Sequence, residues 1–363
     1  MCKVSVGLCI LLKAPMDFKN KRNDYRSLHT RLFFRILSRG KVSMRKLINA
    51  AWCTVAYHLK LSKSAPSPVI LSLELWNECN AGCLFCRDKK GRIYDFNPKS
   101  SSQSSIEKGK MPKEVAFGVI DQLKKDVLVA VLYTNGEPLL YQDLPEVISS
   151  ATKNNVATII STNGLLFTET NAKAILESGI DLIKIQLSGF TQDIYSVQIR
   201  YGHIEKLKEN IRMVAKINRQ GNYGAIILVD YILYNYNRHQ LELVRSFCHE
   251  LGVIMNVRPG NPKGGLEEKE PPLKHAPLPL KMSCDWLWKG MQINWNGEVL
   301  QCCDGVVWNG IEAYDTFRIN KTDLKKVWNG SSAATMRQRI TKKGRGDIPI
   351  CSQCTRVGVS FKW

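Results

Sequence analysis

The chain has 363 residues, of which 44% are hydrophobic, and this is enough for one large domain and a second, smaller one. The formal net charge is +20 at pH 7. Twelve Cys residues are only about 3% of the sequence, which argues against a secreted scaffold built on disulfides. No apolar run reaches the roughly 20 residues that a membrane-spanning helix requires. The run Val4–Leu12 stops at Lys13 and has no A-x-A cleavage pattern, so we expect a cytoplasmic protein.

The positive charge is concentrated in an N-terminal extension, residues 1–68, which holds fourteen Lys or Arg and two Asp. Between Asp24 and Lys60 apolar residues recur at helical spacing, and Ser38-Arg39-Gly40 divides them into two helices. A basic helical pair of this kind has three possible roles: docking on the main domain with a solvated basic face, contact with an anionic membrane surface through residues 24–60, or binding of nucleic acid. Ser64–Pro68 is typical of a linker.

Residues 69–260 alternate between strand and helix patterns. The predicted strands are Val69–Leu75, Val127–Leu132, Ala157–Ser161, Leu182–Leu187, Ala225–Leu233 and Val253–Val257. The predicted helices are Lys113–Lys124, Leu144–Asn154, Glu169–Ser178, Ile204–Arg219 and Arg238–Leu251. Six βα repeats predict an α/β fold with a parallel sheet, curved into a partial (β/α)6 barrel, that binds its ligands beyond the carboxyl ends of the strands.

Three Cys residues follow the first predicted strand as C-x3-C-x2-C, namely Cys79, Cys83 and Cys86. Three thiolates at this spacing suit a [4Fe–4S] cube with one iron open to a substrate or cofactor, whereas a structural zinc requires a fourth ligand nearby. Zinc stays open as the alternative at this point. The connection that follows, residues 87–110, is long and polar, which predicts a lid or disorder.

The Cys triplet, with Phe85 before its last Cys, resembles the cluster loop of radical S-adenosylmethionine (SAM) enzymes. In that family the open iron binds SAM, and the reduced cluster cleaves SAM to a 5′-deoxyadenosyl radical that abstracts a substrate hydrogen. Gly136-Glu137-Pro138, after the second strand, resembles the family's G-G-E-P segment, which meets the SAM amino group, although Asn135 replaces the first Gly. The Ser161-Thr-Asn-Gly164 turn resembles the S-T-N-G that lines the SAM site, and implies roles for Ser161 and Asn163.

Two further segments extend the resemblance less closely. The fourth strand ends Ile185-Gln-Leu-Ser-Gly189 where many relatives have S-L-D-G, so Gln186 and Ser188 would stand at the ribose-binding positions. Arg200, in Arg200-Tyr-Gly202, resembles the Arg that pairs with the SAM carboxylate.

The C-terminal region, residues 261–363, has the order C-x12-G-x4-C and then C-x2-C. It resembles the auxiliary-cluster part of SPASM/Twitch radical SAM enzymes, and in the single-cluster Twitch form it implies a small domain with one auxiliary [4Fe–4S] cluster. The ligands would be Cys284, Cys302, Cys351 and Cys354. Cys303 competes with Cys302, and a zinc ribbon on the same four Cys is the alternative.

The resemblance implies an enzyme that oxidises or modifies its substrate while the auxiliary cluster exchanges one electron with it. A proton acceptor would come from Asp285, Asp304, Asp230 or Glu298. Expected partners are SAM, an electron donor such as flavodoxin or ferredoxin, and a carbohydrate-type or other small-molecule substrate. Modification of a peptide or protein side chain is the alternative, and a zinc-bearing nucleic-acid-binding protein is a distant one that leaves the Gly-Glu-Pro and Ser-Thr-Asn-Gly segments unexplained.

Overall fold

A computed structural model describes residues 25–97, 99–100, 105–260, 266, 283–307 and 309–354. The Val4–Leu12 run, most of the Ser-rich part of the 87–110 connection and nearly all of residues 261–282 lie outside the described residues. None of the described helices is both long and apolar enough to cross a membrane.

Six parallel strands form the core, and they confirm the predicted strands to within two or three residues at their ends. They are β1 (Ile70–Leu73), β2 (Val129–Val131), β3 (Ala157–Thr162), β4 (Leu182–Leu187), β5 (Ile226–Leu233) and β6 (Ile254–Pro259). Each strand pairs in parallel with the next along the chain, so the strands follow in the sheet in the order β1 to β6. All six carboxyl ends therefore lie on one side of the sheet.

The connecting helices cover the outer face of this sheet. They are α3 (Lys113–Leu123), α4 (Leu144–Lys153), α5 (Glu169–Glu177), α6 (Gln192–Ser196), α7 (Ile204–Gln220) and α8 (Leu241–Leu251). Alternate strand residues, for example Ile183, Ile185 and Leu187, join these helices in the large outer core. The residues between them point to the inner face, as the two-residue period of a strand requires.

The inner face of the sheet encloses a second apolar cluster. One apolar cluster there takes residues from all six strands: Ile70, Val129, Val131, Ala157, Ile159, Leu182, Leu228 and Ile254. Because residues from distant strands meet in one cluster, the sheet curves into the predicted partial barrel.

The C-terminal region continues the same sheet. A short helix α9 (Trp286–Lys289) leads into β7 (Gly290–Ile293), which pairs in parallel with β1. Strands β8 (Glu298–Leu300) and β9 (Asp315–Thr316) then follow antiparallel. Helices α10 (Leu324–Asn329), α11 (Ser331–Lys343) and α12 (Pro349–Gln353) complete the described part.

Two helices of the N-terminal extension, α1 (Tyr25–Ser38) and α2 (Met44–His58), close the amino-terminal end of the barrel. Leu28, Leu32 and Ile36 of α1 pack into the inner apolar cluster. The two helices do dock on the main domain. The expectation that their basic face is solvated is wrong in part. Several cations point inward instead, with Lys41 and Lys46 buried at 2% and 3% exposure.

These inward cations bind the segments that enter the strands. Lys41 Nζ lies 2.6 Å from Asp181 Oδ2, just before β4, and Arg35 Nε lies 3.3 Å from the other oxygen. Lys46 Nζ donates to the carbonyl of Asn155, just before β3, at 2.6 Å. The extension is thus a built-in plug for the barrel end opposite the predicted ligand site.

Candidate functional site

The three Cys residues of the first loop are brought together at the carboxyl end of β1. Burial raises the pKa of Cys83 well above its ordinary value, and the neighbouring Cys86 and Cys79 thiols raise it further. The loop turns tightly, because the Cys83 carbonyl accepts from the amides of Cys86 (3.0 Å) and Arg87 (2.9 Å). Gly82 has a φ of +61°, a conformation that favours glycine.

The donor set fits a cluster. All three thiols are partly exposed and none forms a disulfide. Within the described residues no three His, Cys, Asp or Glu side chains surround the position of a single metal ion. A cube differs from zinc in this respect, since each thiolate binds a different iron. A [4Fe–4S] group held by Cys79, Cys83 and Cys86 would supply the electron that cleaves SAM.

Arg87 and Asn77, which the sequence did not single out, hold the Cys loop in place. The Arg87 guanidinium is buried and donates to the carbonyls of Asn77 (2.7 Å) and Asn135 (3.2 Å). The Asn77 side-chain amide donates to the Glu107 carbonyl at 2.8 Å, and its oxygen accepts from the Gly109 amide at 2.9 Å. Asn77 therefore also holds the end of the 87–110 connection. The sequence shows only an arginine directly after the last Cys, and its burial is visible in the structure alone.

The Gly136-Glu137-Pro138 turn lies against the Cys loop. The Glu137 amide donates to the Glu78 carbonyl at 2.8 Å. A Cβ at position 136 would overlap the Trp76 carbonyl oxygen and stand 2.7 Å from Asn77 Cα, so only glycine permits this approach of the two backbones.

Glu137 links the ends of β2 and β3. Its carboxylate is 2% exposed and accepts from the Thr162 hydroxyl (2.5 Å), the Asn163 amide (2.8 Å) and the Leu139 amide (3.0 Å). Burial raises the pKa of Glu137 to about 7, although these hydrogen bonds oppose the shift. The Asn163 side-chain amide reaches Cys79 Sγ at 3.7 Å, so the predicted SAM-site residues Glu137 and Asn163 do lie beside the cluster loop.

The strand-end residues Ser161, Gln186 and Ser188 also come to this end of the barrel. Gln186 Nε2 donates to the Ser161 hydroxyl at 3.3 Å, on the inner face. Ser188 is 1% exposed, and its hydroxyl has no hydrogen-bond partner among the described residues. Their contacts with SAM stay a prediction.

Arg200 makes contacts that the sequence did not predict. Its guanidinium donates to the carbonyls of Gly82 (2.7 Å), Arg87 (3.3 Å) and Asp88, so it braces the Cys loop from the α6–α7 side. The predicted pairing of Arg200 with the SAM carboxylate is untested by these contacts and stays a prediction.

The C-terminal Cys residues form a second group. Burial raises the pKa of Cys302 well above its ordinary value, and Asp304, Cys303, Cys351 and Cys284 add to the shift, which places these groups together. Cys354 Sγ lies 3.2 Å from Asp304 Oδ2. The four predicted ligands therefore lie in one region together with Cys303 and Asp304, and which of these Cys residues hold an auxiliary cluster stays a prediction.

The strand directions set the relative levels of the two Cys groups. Because β8 runs antiparallel to β7, Cys302 follows β8 at the level where β7 and β1 begin. The cluster loop lies beyond the end of β1. About 13 Å of strand, four residues at 3.3 Å each, therefore separates the two levels.

The 87–110 connection ties the two groups together. The amide of Phe96 donates to Val307 at 2.9 Å, and Asn97 Nδ2 donates to Asn309 at 2.6 Å. In its described residues the connection is a folded strap on the segment after Cys302.

The four predicted proton acceptors have different surroundings. Asp285 pairs with Lys289 at 2.7 Å, Asp304 lies among the Cys residues, and Glu298 is half-buried on β8. Asp230 is fully buried inside the barrel, 3.2 Å from Lys184 Nζ and 2.7 Å from Arg258 Nε. Burial alone would raise the pKa of Asp230, but these cations and the Asn256 amide lower it, so Asp230 is a charged partner of two cations.

Glu74 is a residue that the sequence analysis missed. It directly follows β1, on the inner face, is 1% exposed, and its Oε1 has no hydrogen-bond partner among the described residues. Burial raises the pKa of Glu74 to about 8, although the Trp295 amide and Arg87 lower it. A lone Glu inside a strand of apolar residues was the signal for it.

Two family models match the chain. The radical SAM superfamily model matches residues 73–247, and an iron–sulfur cluster-binding domain model, SPASM, matches residues 284–355. The chain belongs to the radical SAM superfamily, in its SPASM subgroup. It is therefore an enzyme whose cofactors are SAM, a [4Fe–4S] cluster and auxiliary iron–sulfur, as predicted. These matches exclude the alternative of a zinc-bearing nucleic-acid-binding protein.

Curated relatives match the radical SAM part. A probable GTP 3′,8-cyclase of Methanococcus maripaludis is 27% identical over 205 residues, 56% of this chain and 60% of that protein. The PqqA peptide cyclase of Granulibacter bethesdensis is 24% identical over 195 residues, 53% of this chain and 48% of that protein. The chain thus spans about half to three fifths of these relatives' lengths.

Solved structures share the fold. BtrN in complex with AdoMet and 2-DOIA is 18% identical, with a TM-score of 0.50, and the match covers 83% of this chain and 98% of BtrN. SuiB of Streptococcus suis bound to precursor peptide SuiA is 14% identical, with a TM-score of 0.55, and the match covers 90% of this chain and 75% of SuiB. At these identities the likeness concerns the fold.

Proposed function

We propose that this radical SAM enzyme oxidises a hydroxyl-bearing small molecule of the carbohydrate or cyclitol type. The observation that carries the proposal is the polar inner layer of the barrel, where the buried Asp230 pairs with the buried Lys184 and the half-buried Arg258, beside Gln186 and Ser161. Such a layer offers fixed donors and acceptors to several hydroxyl groups, as recognition of a small polar ligand requires.

The oxidation of a secondary alcohol removes two hydrogens and leaves a carbonyl. The carbon-bound hydrogen leaves as an atom to the 5′-deoxyadenosyl group, the hydroxyl proton needs an acceptor, and the remaining electron needs an acceptor such as the auxiliary iron–sulfur. The chain's own contribution is to hold the substrate and to accept the proton.

Glu74 is our candidate for the proton acceptor. It stands on the inner face between the levels of the two Cys groups, and one carboxylate oxygen has no partner among the described residues. An acceptor with a pKa near 8 is matched to neutral pH, and general bases contribute about 10²–10⁴-fold to rate. Asp230, in contrast, is held by Lys184 and Arg258.

The substrate class is tested with reconstituted enzyme, SAM and a strong reductant. Aminosugars and cyclitols deuterated at their carbinol positions are compared with peptides deuterated at their α-carbons. We expect deuterium in 5′-deoxyadenosine from a compound of the first group, together with its ketone. Deuterium transfer from peptides alone would favour the alternative, a peptide-modifying enzyme, and would leave the radical SAM assignment intact.

The Glu74→Gln variant tests the proton acceptor. We expect deuterium transfer and SAM cleavage to persist, while ketone formation falls about 100-fold. In the wild type, ketone formation should rise with pH up to about 8, since the carboxyl must be deprotonated, and then level off. The matched variant Glu298→Gln should show the same pH dependence of ketone formation as the wild type. If Glu298→Gln lost this pH dependence and Glu74→Gln kept it, Glu74 would be excluded as the proton acceptor.

Two further expectations belong to this proposal. A low-potential donor such as flavodoxin or ferredoxin is expected to replace the chemical reductant, and single-turnover reduction of the cluster by each would check it. Cys groups that hold iron–sulfur rather than disulfides support a reducing compartment, the cytoplasm, as the location.

A further inference from the structure

The outer face of α2 is an exposed apolar stripe. We define the stripe by five residues, with their exposed fractions: Met44 71%, Ile48 63%, Trp52 48%, Val55 39% and Leu59 62%. They recur every three or four positions, so they lie on one face of the helix. At 1.5 Å per residue the stripe is about 22 Å long. Apolar side chains that are contiguous and exposed mark an interaction surface.

The opposite face of α2 holds the stripe firmly to the barrel. Cys53 and Ala56 are fully buried beneath it. Asn49 donates to the carbonyls of Ser67 and Asp126, and the Tyr57 ring packs edge-on against Trp288. One face of α2 therefore packs against the barrel, and the apolar stripe is a second face that the barrel does not cover.

The charge around the stripe is of one sign. Residues 25–68 contain nine Lys or Arg and no Asp or Glu. Exposed cations in this part of the chain are Arg31, Arg39, Arg45, Lys60 and Lys63. Arg45 pairs with Asp126, but this carboxylate is buried and is also paired with Lys325. Two copies of this surface would therefore bring like charges together, which disfavours a symmetric dimer through the stripe.

We propose that the stripe docks this enzyme on an anionic lipid surface. An exposed helix with an apolar stripe that includes a Trp, in a basic part of the chain, matches a helix that lies in the bilayer interface with its apolar side chains about 5–10 Å deep. The cations would add attraction to anionic head groups, at about 1 kcal/mol for each Lys or Arg near the surface. A protein partner would need an apolar groove with an acidic rim.

This docking fixes the orientation of the enzyme. Helices α1 and α2 bind the segments that enter β1 to β5, for example at Ser67, Asn155 and Asp181. The Cys79 loop lies at the other end of these strands. The site would therefore open away from the bilayer, toward substrates in the aqueous phase.

The test is flotation of the reconstituted full-length protein with vesicles. We compare phosphatidylcholine alone with phosphatidylcholine containing phosphatidylglycerol, at low and high salt. We expect the protein to float with the anionic vesicles, less so at high salt. The double variant Ile48→Asp, Leu59→Asp should lose at least about tenfold in bound fraction. Leu243→Asp, at an exposed leucine of α8, is the matched control and should bind like the wild type.

SAM cleavage is measured on the same samples. It should be unchanged in the double variant, because the stripe is exposed on the outer face of α2, at the other end of the strands from the Cys79 loop. The proposal would be overturned if the wild-type protein failed to float with any of the vesicle mixtures. It would also be overturned if the double variant bound vesicles like the wild type, or if the wild type were a dimer in solution and the double variant a monomer.

Discussion

The two ends of the six-stranded barrel are built from different kinds of contact. At the carboxyl end, loops bring together thiols, a buried Glu and backbones that only glycine allows to approach. At the amino end, Arg35, Lys41 and Lys46 of the extension saturate the strand entries with ion pairs and hydrogen bonds. The strands are shared, yet the carboxyl end carries the predicted SAM-site loops, whereas the helices at the amino end hold the strand entries, beside the second Cys group.

This division follows from chain direction. Loops after parallel strands converge on one edge and vary freely, while the opposite edge serves only to hold the strands. Substitutions at the two ends should therefore separate into those that remove activity from a folded protein and those that unfold it.

Loss of the Cys loop gives the largest expected effect. The triple variant Cys79→Ala, Cys83→Ala, Cys86→Ala should lose about four of roughly eight irons per chain and all SAM cleavage, because no ligands for the first cluster remain. Iron analysis and 5′-deoxyadenosine formation measure it. Cys248→Ala removes a buried thiol elsewhere and is the control, which should keep full iron. An unchanged iron content in the triple variant would refute the site.

Gly136→Ala comes next. The added Cβ would force the turn away from the backbone of Trp76 and Asn77, and a displacement of about 1 Å costs on the order of 100-fold in rate. SAM cleavage should fall by that factor while thermal unfolding changes little. The control Gly118→Ala lies in α3, where the new methyl meets the edge of the Phe317 ring at 3.3 Å and Ile319 Cγ1 at 3.5 Å, and no backbone atom. Equal activity in both variants would contradict the close approach.

Asp181→Asn tests the amino end and should leave the site working. Burial lowers the pKa of Arg35 to about 10 and also lowers that of Lys41, whereas Asp181 opposes both shifts. Removing its charge leaves two buried cations unpaired, at about 3–5 kcal/mol. Urea unfolding measures the loss, and SAM cleavage by the folded protein should persist.

The control for that variant is Asp121→Asn, which breaks an exposed pair with Lys124. Exposed pairs contribute about 0–1 kcal/mol, so its urea midpoint should barely move. If the two variants were equally stable, the extension would not be the plug that the contacts indicate.

The sequence predicted what depends on local pattern. Apolar runs predicted the six strands, Cys spacing predicted the first thiol group, and the resemblance to SPASM/Twitch enzymes implied the second. It could not predict Glu74 or the Arg87–Asn77 brace, whose roles depend on burial by elements distant in the chain. Arg200 was found by motif, but its contacts with Gly82 needed coordinates.

The N-terminal extension shows the limit most clearly. Helical periodicity located α1 and α2, and composition showed that they are basic. Composition alone does not say which face turns inward. Buried partners such as Asp181, 140 residues away from Lys41, drew cations into the protein and left Trp52 outside.

The plug has a consequence for biosynthesis. Arg35 donates to the carbonyl of Tyr223, 188 residues later in the chain, so α1 has no complete docking site until β5 has been made. At about 5–20 residues per second a ribosome needs roughly 10–40 s for that stretch. During this interval Leu28, Leu32 and Ile36 have no barrel to enter. Helix α1 is thus made before the barrel but seated only after β5, and a nascent chain shielded by a chaperone, or held at a lipid surface, would reach the folded state with less aggregation.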